Sequence, residues 1–292
     1  MELFNPGQAS SWCIFGLNKK LAFNKGTYMR IATWNIKSIA PRKSLRDRRG
    51  WIEQVIAPDI IVLTEAKAKE KDSGLWSGWS SLYREGGIDR SRPWGTIVAS
   101  SRFKLKQITT VKKRFSTYEL DTHFPGALVA ADVYDGKECW GTVVGMYGLT
   151  VDENGSSNGS GSYSVPTLMY DLEAIIKSGR KRIVVAGDLN LHPRNVTPLL
   201  SDIGLIDLIH YTSADRGNLR GCSGCGFGRE CGHLWTHKNG KADGNGKPQQ
   251  LDYIFATKDL LNDVDIVTGG ILDFPDAWTL SDHAPVVVDF YK

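Results

Sequence analysis

The chain has 292 residues, of which 41% are hydrophobic and 23% charged, and its formal net charge is +4. This composition excludes wholesale disorder, and the length permits one large domain or two ordinary ones. The apolar runs fall short of the ~20 residues that a membrane span needs, and residues 1–28 lack the charge order of a secretory signal. We therefore expect a cytoplasmic protein. The weak basic excess does not by itself indicate a nucleic-acid partner.

Short apolar runs rich in β-branched residues predict eight strands, at 30–34, 60–64, 95–100, 127–133, 141–147, 182–186, 251–256 and 284–290. Helices are predicted at 43–56, 164–177 and 193–203, the second with Ser164 as its N-cap and Gly179 as its stop. Many strands with few helices between them predict an α/β fold of two packed sheets with helices outside.

Polar side chains follow many of these predicted strands. Each one singly is compatible with an ordinary turn or cap, but strand ends gather at one edge of an α/β sheet, where ligands bind. Carboxylates that gather there raise each other's pKa, and a hard divalent cation resolves the conflict. Oxygen ligands of this kind suit Mg²⁺ or Mn²⁺, with a substrate phosphate completing the coordination. The residues are Asn35, Glu65, Tyr147, Asp188, Asn190, Asp252, Asp282 and His283.

Five motifs in this order resemble the endonuclease/exonuclease/phosphatase superfamily, which includes deoxyribonuclease I and exonuclease III. They are Trp34-Asn35, Thr64-Glu65, Gly187-Asp188-Leu189-Asn190, Leu251-Asp252-Tyr253 and Ser281-Asp282-His283. The resemblance implies a four-layer α/β sandwich, in which two mixed β-sheets are flanked by helices. It also implies a catalytic domain at 29–292, preceded by an N-terminal extension at 1–28.

The resemblance assigns roles residue by residue. It implies that Asn35, Glu65 and Asp282 hold Mg²⁺. It further implies that His283 is a catalytic histidine polarised by Asp252. Asp188 and Asn190 match the pair that orients the attacking water and contacts the scissile phosphate. The sequence leaves open whether Asp188 or His283 is the general base.

The implied activity is Mg²⁺-dependent hydrolysis of a phosphodiester by in-line attack of water. Tyr147 resembles the exonuclease III and apurinic endonuclease branch, which favours a nuclease acting on DNA or RNA. Lys37, however, stands where that branch carries a second acidic residue. One alternative is a phosphatase or phosphodiesterase acting on a phospholipid, an inositol phosphate or a small nucleotide. Another is a non-catalytic, zinc-stabilised nucleic-acid-binding module.

A Cys-rich insert at about 213–248 separates two of the motifs. Its Cys222, Cys225 and Cys231, followed by His233, have the spacing of a closed Cys₃His zinc site, with His237 as the alternative fourth ligand. The competing interpretation is a loop with reduced thiols. Three of the chain's five cysteines lie in this stretch, which favours a structural zinc.

Overall fold

The fold is that of a computed structural model of the chain. The structure describes residues 28–37, 42–67, 79–85, 94–113, 115–150, 160–213, 233–238, 248–265 and 267–291. Residues 1–27 of the expected extension and the three insert cysteines lie outside the described residues.

Two six-stranded sheets form the centre of the molecule. The first contains β1 (Tyr28–Asn35), β2 (Ile60–Ala66), β3 (Ser80–Glu85), β4 (Gly95–Ser100), β15 (Thr268–Gly269) and β16 (Val286–Tyr291). The second contains β5 (Lys104–Ile108), β8 (Leu128–Asp135), β9 (Glu138–Met146), β10 (Ile183–Asp188), β11 (Leu205–Asp207) and β14 (Asp252–Thr257). Two short ribbons pair β6 (Thr110–Lys113) with β7 (Ser116–Glu119), and β12 (His237–Lys238) with β13 (Pro248–Gln249).

The helices connect and cover these strands. They are α1 (Arg42–Trp51), which continues into a π-helical turn (Ile52–Ile56), α2 (Val165–Lys177), α3 (Pro193–Asp202), α4 (Leu208–Tyr211), a 3₁₀ helix (Lys258–Asp263), α5 (Gly270–Asp273) and α6 (Ala277–Leu280). None of the helices in the described part of the chain has the length and apolarity needed to traverse a bilayer.

The eight predicted strands and three predicted helices are all present, with ends shifted by at most a few residues. Ser164 lies at the N-cap of α2, but its hydroxyl accepts a hydrogen bond from the backbone N–H of Leu149 (2.8 Å) instead of capping the helix. Gly179 follows α2 with a φ of +85°, which a glycine adopts without strain, so it does stop the helix.

Both sheets are mixed. The first has the order β15-β16-β1-β2-β4-β3 and the second the order β11-β14-β10-β9-β8-β5. The pairs β1–β2 and β9–β10 are parallel, and the other neighbours are antiparallel. The predicted architecture of two mixed sheets with helices outside is therefore confirmed.

Alternation along the strands of the first sheet explains the layers. Ile31 and Val62 face the core between the sheets, whereas Trp34 and Leu63 belong to a second cluster that includes Ile56 at the end of the π-helical turn. Successive residues of a strand thus face opposite sides of the first sheet. One side packs against the second sheet and the other against the second cluster, so both faces of the first sheet are buried.

One glycine allows the two sheets to approach closely. A Cβ at Gly145 on β9 would lie only 2.8 Å from the Cγ2 of Thr96 and 3.0 Å from the Cγ1 of Val62, both of which are in the first sheet. This close contact fixes the distance between the sheets near the ends of their parallel strands. Those ends carry the polar residues considered next.

Candidate active site

The strand ends of both sheets meet at one edge. Asn35 ends β1, Glu65 lies near the end of β2, and Asp188 ends β10. Asp252 begins β14 directly opposite Asp188, because those two strands are antiparallel. His283 precedes β16, which runs antiparallel to β1 and so begins at the same edge. The fold brings these five residues together from five distant parts of the chain, and Tyr147, in the loop that follows β9, joins them from a sixth.

A buried network of hydrogen bonds occupies the centre of this edge. His283 Nδ1 lies 2.7 Å from Asp252 Oδ2, and His283 Nε2 lies 3.8 Å from Asp188 Oδ2. All three side chains are almost fully buried. Their ligand atoms lie within 4.8 Å of one another, a spacing that would also hold a metal ion. The direct His283–Asp252 contact accounts for that spacing without a metal, so we interpret the group as a histidine held by a carboxylate.

Amide donors orient the Asp188 carboxylate. The Asn35 side chain donates to Asp188 Oδ2 (2.8 Å). Asn190 donates from its backbone to Oδ1 (2.8 Å) and from its side chain to Oδ2 (3.2 Å). The Asn190 side chain also donates to the carbonyl of Gly148 (2.8 Å), which anchors it to the loop after β9. The donors fix the direction of the carboxylate and favour its charged form.

A further carboxylate, that of Glu65, accepts a hydrogen bond from a phenol. Tyr147 donates its hydroxyl to Glu65 Oε1 (3.1 Å). Glu65, Asn190 and Lys37 all have left-handed backbone conformations, with φ of +51°, +50° and +38°. Such conformations cost non-glycine residues roughly 1–3 kcal/mol each and concentrate at functional sites. Three of them around one edge indicate that the fold aims these side chains at a common point.

The carboxylate of Asp282 provides the observation that best tests whether the residues fit a metal. Its Oδ2 pairs with the ammonium of Lys37, while its Oδ1 is buried and has no hydrogen-bond partner. A buried carboxylate oxygen without a partner is costly, and a divalent cation would satisfy it. With Asn35 and Glu65 nearby, the oxygen donors suit Mg²⁺ or Mn²⁺. The residues present therefore fit the metal that the sequence predicts.

Burial and the neighbouring charges shift the pKa values of the side chains at this site. Burial alone would lower the pKa of His283, but the carboxylates of Asp252 and Asp188 raise it to about 10, so the ring is cationic at neutral pH. Burial raises the pKa of Glu65 and of Asp188. Burial opposes the charge of Asp282 as well, yet the cationic His283 and Lys37 lower its pKa overall.

Two positioning residues were not assigned roles from the sequence, although both lie inside the quoted motifs. The indole of Trp34 donates to the carbonyl of His283 (2.8 Å). The hydroxyl of Ser281 donates to the carbonyl of Asn35 (2.8 Å) and lies 3.2 Å from the amide of His283, from which it accepts. The bonds of Trp34 to His283 and of Ser281 to Asn35 join the loop before β16 to the end of β1, and the bond between Ser281 and His283 braces that loop internally.

The two histidines proposed as zinc ligands lie in different surroundings. His237 stacks on His283, with ring centroids 4.5 Å apart, and burial together with the cationic His283 lowers its pKa to about 4. His233 lies against His192, with ring centroids 5.8 Å apart. The sequence did not reveal that His237 of the insert contacts His283. From the sequence, His237 is predicted only as the alternative zinc ligand.

These features are typical of a class of hydrolase: a histidine held by a carboxylate, a second oriented carboxylate, and oxygen atoms that could hold a metal. Residues 32–283 match the model of the Endonuclease/Exonuclease/phosphatase family. The chain belongs to this family and is accordingly a metal-dependent phosphodiester hydrolase.

Solved structures of similar fold include a 3'-5' exonuclease (NExo) from Neisseria meningitidis, at 16% identity and a TM-score of 0.61, covering 90% of this chain and 99% of that one. An AP endonuclease from Archaeoglobus fulgidus has the same identity, TM-score and coverage. The human Nocturnin catalytic domain has 16% identity and a TM-score of 0.59, covering 91% of this chain and 95% of that one. A comparison with curated protein sequences found no significant match.

Proposed function

We propose that the chain is a Mg²⁺-dependent nuclease that hydrolyses phosphodiester bonds of DNA or RNA. The observation that carries the proposal is the buried Asp252–His283–Asp188 network next to the unpartnered Oδ1 of Asp282. Buried charged side chains cost stability, and a binding module would gain nothing from them. Their presence therefore favours an enzyme over the non-catalytic alternative.

The proposed metal ligands are Asn35, Glu65 and Asp282, and a bound Mg²⁺ would neutralise charge on the scissile phosphate and the leaving oxygen. His283 presents a cationic ring to the phosphate, and Asp252 keeps that ring in one orientation. Asn190 contacts a phosphate oxygen. Tyr147 holds Glu65 in place through its hydroxyl.

Asp188 is the better candidate for the general base. A base must be able to accept a proton, and His283 is already protonated at neutral pH because its pKa is raised to about 10. Burial raises the pKa of Asp188 to about 8, while the cationic His283 and the amide of Asn35 favour its charged form. In that form, beside the protonated His283, its carboxylate is a stronger base than an exposed aspartate. We therefore propose that Asp188 takes the proton of the attacking water.

A nucleic-acid substrate is supported by the structural neighbours. They include an exonuclease, an AP endonuclease and the Neisseria 3' phosphatase NExo bound to a product DNA hairpin. The sequence match of Tyr147 to the nuclease branch points the same way. A small phosphoester or a phospholipid headgroup is the competing substrate, and the experiment below compares them directly.

The test is cleavage of plasmid DNA, single-stranded DNA and RNA by purified protein. We expect cleavage with Mg²⁺, none with EDTA, and a loss of at least ~10²-fold in rate for His283→Ala. The exposed His123 offers a matched control, His123→Ala, which should keep its rate. Undiminished cleavage by His283→Ala would contradict the assignment. If the protein hydrolyses sphingomyelin, inositol phosphates or nucleotides faster than nucleic acid, the proposed nucleic-acid substrate is wrong and the small phosphoester is the substrate.

We also propose a catalytic domain at 29–292 and, within its insert, a structural zinc held by Cys222, Cys225, Cys231 and His233. The stacking of His237 on His283 favours His233 as the fourth ligand. Elemental analysis of reduced protein should find about one equivalent of zinc. Cys225→Ser should lose it and the isolated Cys139→Ser should retain it. Zinc-free wild-type protein would refute the site.

A further inference from the structure

Lys37 contacts two of the three proposed metal ligands. Its backbone N–H donates to Asn35 Oδ1 (2.9 Å), which is the oxygen that the asparagine would offer to a cation. Its ammonium forms an ion pair with Asp282 Oδ2. The left-handed conformation of Lys37, with a φ of +38°, turns the side chain back toward the loop before β16. The chain thus places a fixed positive charge of its own on the carboxylate that a metal would use.

The Lys37 ammonium and a divalent cation would compete for the Asp282 carboxylate and would repel each other. When the metal approaches Asp282, it either displaces the ammonium from Oδ2 or binds beside it and is repelled. Both outcomes reduce the free energy of metal binding relative to a site with a neutral residue at position 37. The pair is only partly shielded from water, because the Lys37 and Asp282 side chains are 44% and 24% exposed. Solvent therefore weakens the repulsion but does not remove it.

We propose that Lys37 is a built-in counter-ion of Asp282 that competes with the divalent cation and sets the metal affinity of the site. The ammonium neutralises Asp282 in the metal-free enzyme, and metal binding must overcome that pairing. The inference rests on the proposed metal site, and it predicts that this site binds its cation more weakly than its three oxygen ligands alone would.

The test compares Mn²⁺ binding to the wild-type protein and to Lys37→Met, by calorimetry or electron paramagnetic resonance, in the absence of substrate. Methionine keeps the length and the backbone hydrogen bond but removes the charge. A unit charge a few ångströms from a divalent ion in a wet environment corresponds to roughly a tenfold change in affinity. We expect Lys37→Met to bind Mn²⁺ about tenfold more tightly.

Lys238→Met is the matched control. The backbone N–H of Lys238 donates to the carbonyl of Asp282 (2.8 Å), so the residue is close to the site, but its ammonium lies 5.8 Å from the ring centroid of Trp278. This variant makes the same charge change without freeing the Asp282 carboxylate. We expect its Mn²⁺ affinity to stay close to that of the wild type.

The outcomes separate the inference from the proposed function. Equal or weaker Mn²⁺ binding by Lys37→Met, with clear binding by the wild type that Asp282→Asn abolishes, would overturn the role of Lys37 and leave the metal site intact. Equal tightening in Lys37→Met and Lys238→Met would also overturn it, because any loss of charge would suffice. Absence of binding in every variant would overturn both proposals.

Discussion

The substitution Asp252→Asn removes the charge that holds His283, the proposed catalytic histidine. The Asp252 carboxylate is fully buried and lies 2.7 Å from Nδ1 of His283. Asparagine has nearly the same shape, so the packing around the site should survive. The His283 ring, however, loses the largest of the contributions that raise its pKa.

A hydrogen bond to a charged group contributes about 1.5–3 kcal/mol. Because one pKa unit corresponds to about 1.4 kcal/mol, the pKa of His283 should fall by roughly one to two units. In the wild type the raised pKa stabilises the folded state, fully below a pH of about 6.5, and the contribution is lost as the pH rises through about 10. The variant should lose part of this dependence, and its cleavage rate should drop by about 10²-fold or more.

The assay is a pH titration of the imidazole ¹⁵N signals of metal-free protein by NMR, together with single-turnover cleavage. Asp289→Asn serves as the control, because Asp289 pairs with Arg30 (2.7 Å) near the opposite end of β1. It should change neither the pKa of His283 nor the rate of cleavage. An unaltered His283 pKa in Asp252→Asn would refute the reasoning.

Three further substitutions test the surroundings of the site. Tyr147→Phe should reduce the cleavage rate about tenfold in steady-state kinetics, because Glu65 loses the hydrogen bond from the phenol. An unchanged rate would show that Tyr147 has no role in the site. Ser281→Ala should lower the free energy of unfolding by about 1–3 kcal/mol in urea, because it breaks one hydrogen bond from the loop before β16 to β1 and a second one within that loop. Gly187→Ala should fail to fold stably, since its Cβ would lie 1.8 Å from the carbonyl oxygen of Met146; a native-like melting curve would contradict this.

The sequence predicted the central strands well because they are apolar on both faces. Strands such as β4 and β10 are buried along their whole length, and each contains an apolar run, at 97–99 and 183–186. The missed strands are short or exposed. β5 alternates buried apolar residues with lysines, and β12 and β13 have two residues each, so neither kind carries a clear periodic signal.

The site was predictable as a set of residues but not as a set of contacts. Motif order singled out Asp188 and His283, whose side chains the structure places 3.8 Å apart. It did not show that Lys37 pairs with Asp282 or that His237 stacks on His283. Those contacts depend on the left-handed conformation of Lys37 and on tertiary packing, which local sequence does not specify.

The most direct test of the central claim is hydrolysis of a nucleic-acid substrate in H₂¹⁸O under single-turnover conditions, with the wild type and Asp188→Asn compared. If the site directs water at the phosphorus atom, one ¹⁸O should enter the product phosphate in the presence of Mg²⁺, and Asp188→Asn should form product at least ~10²-fold more slowly. Product formation that is equally fast in Asp188→Asn, or that needs no divalent cation, would contradict the account.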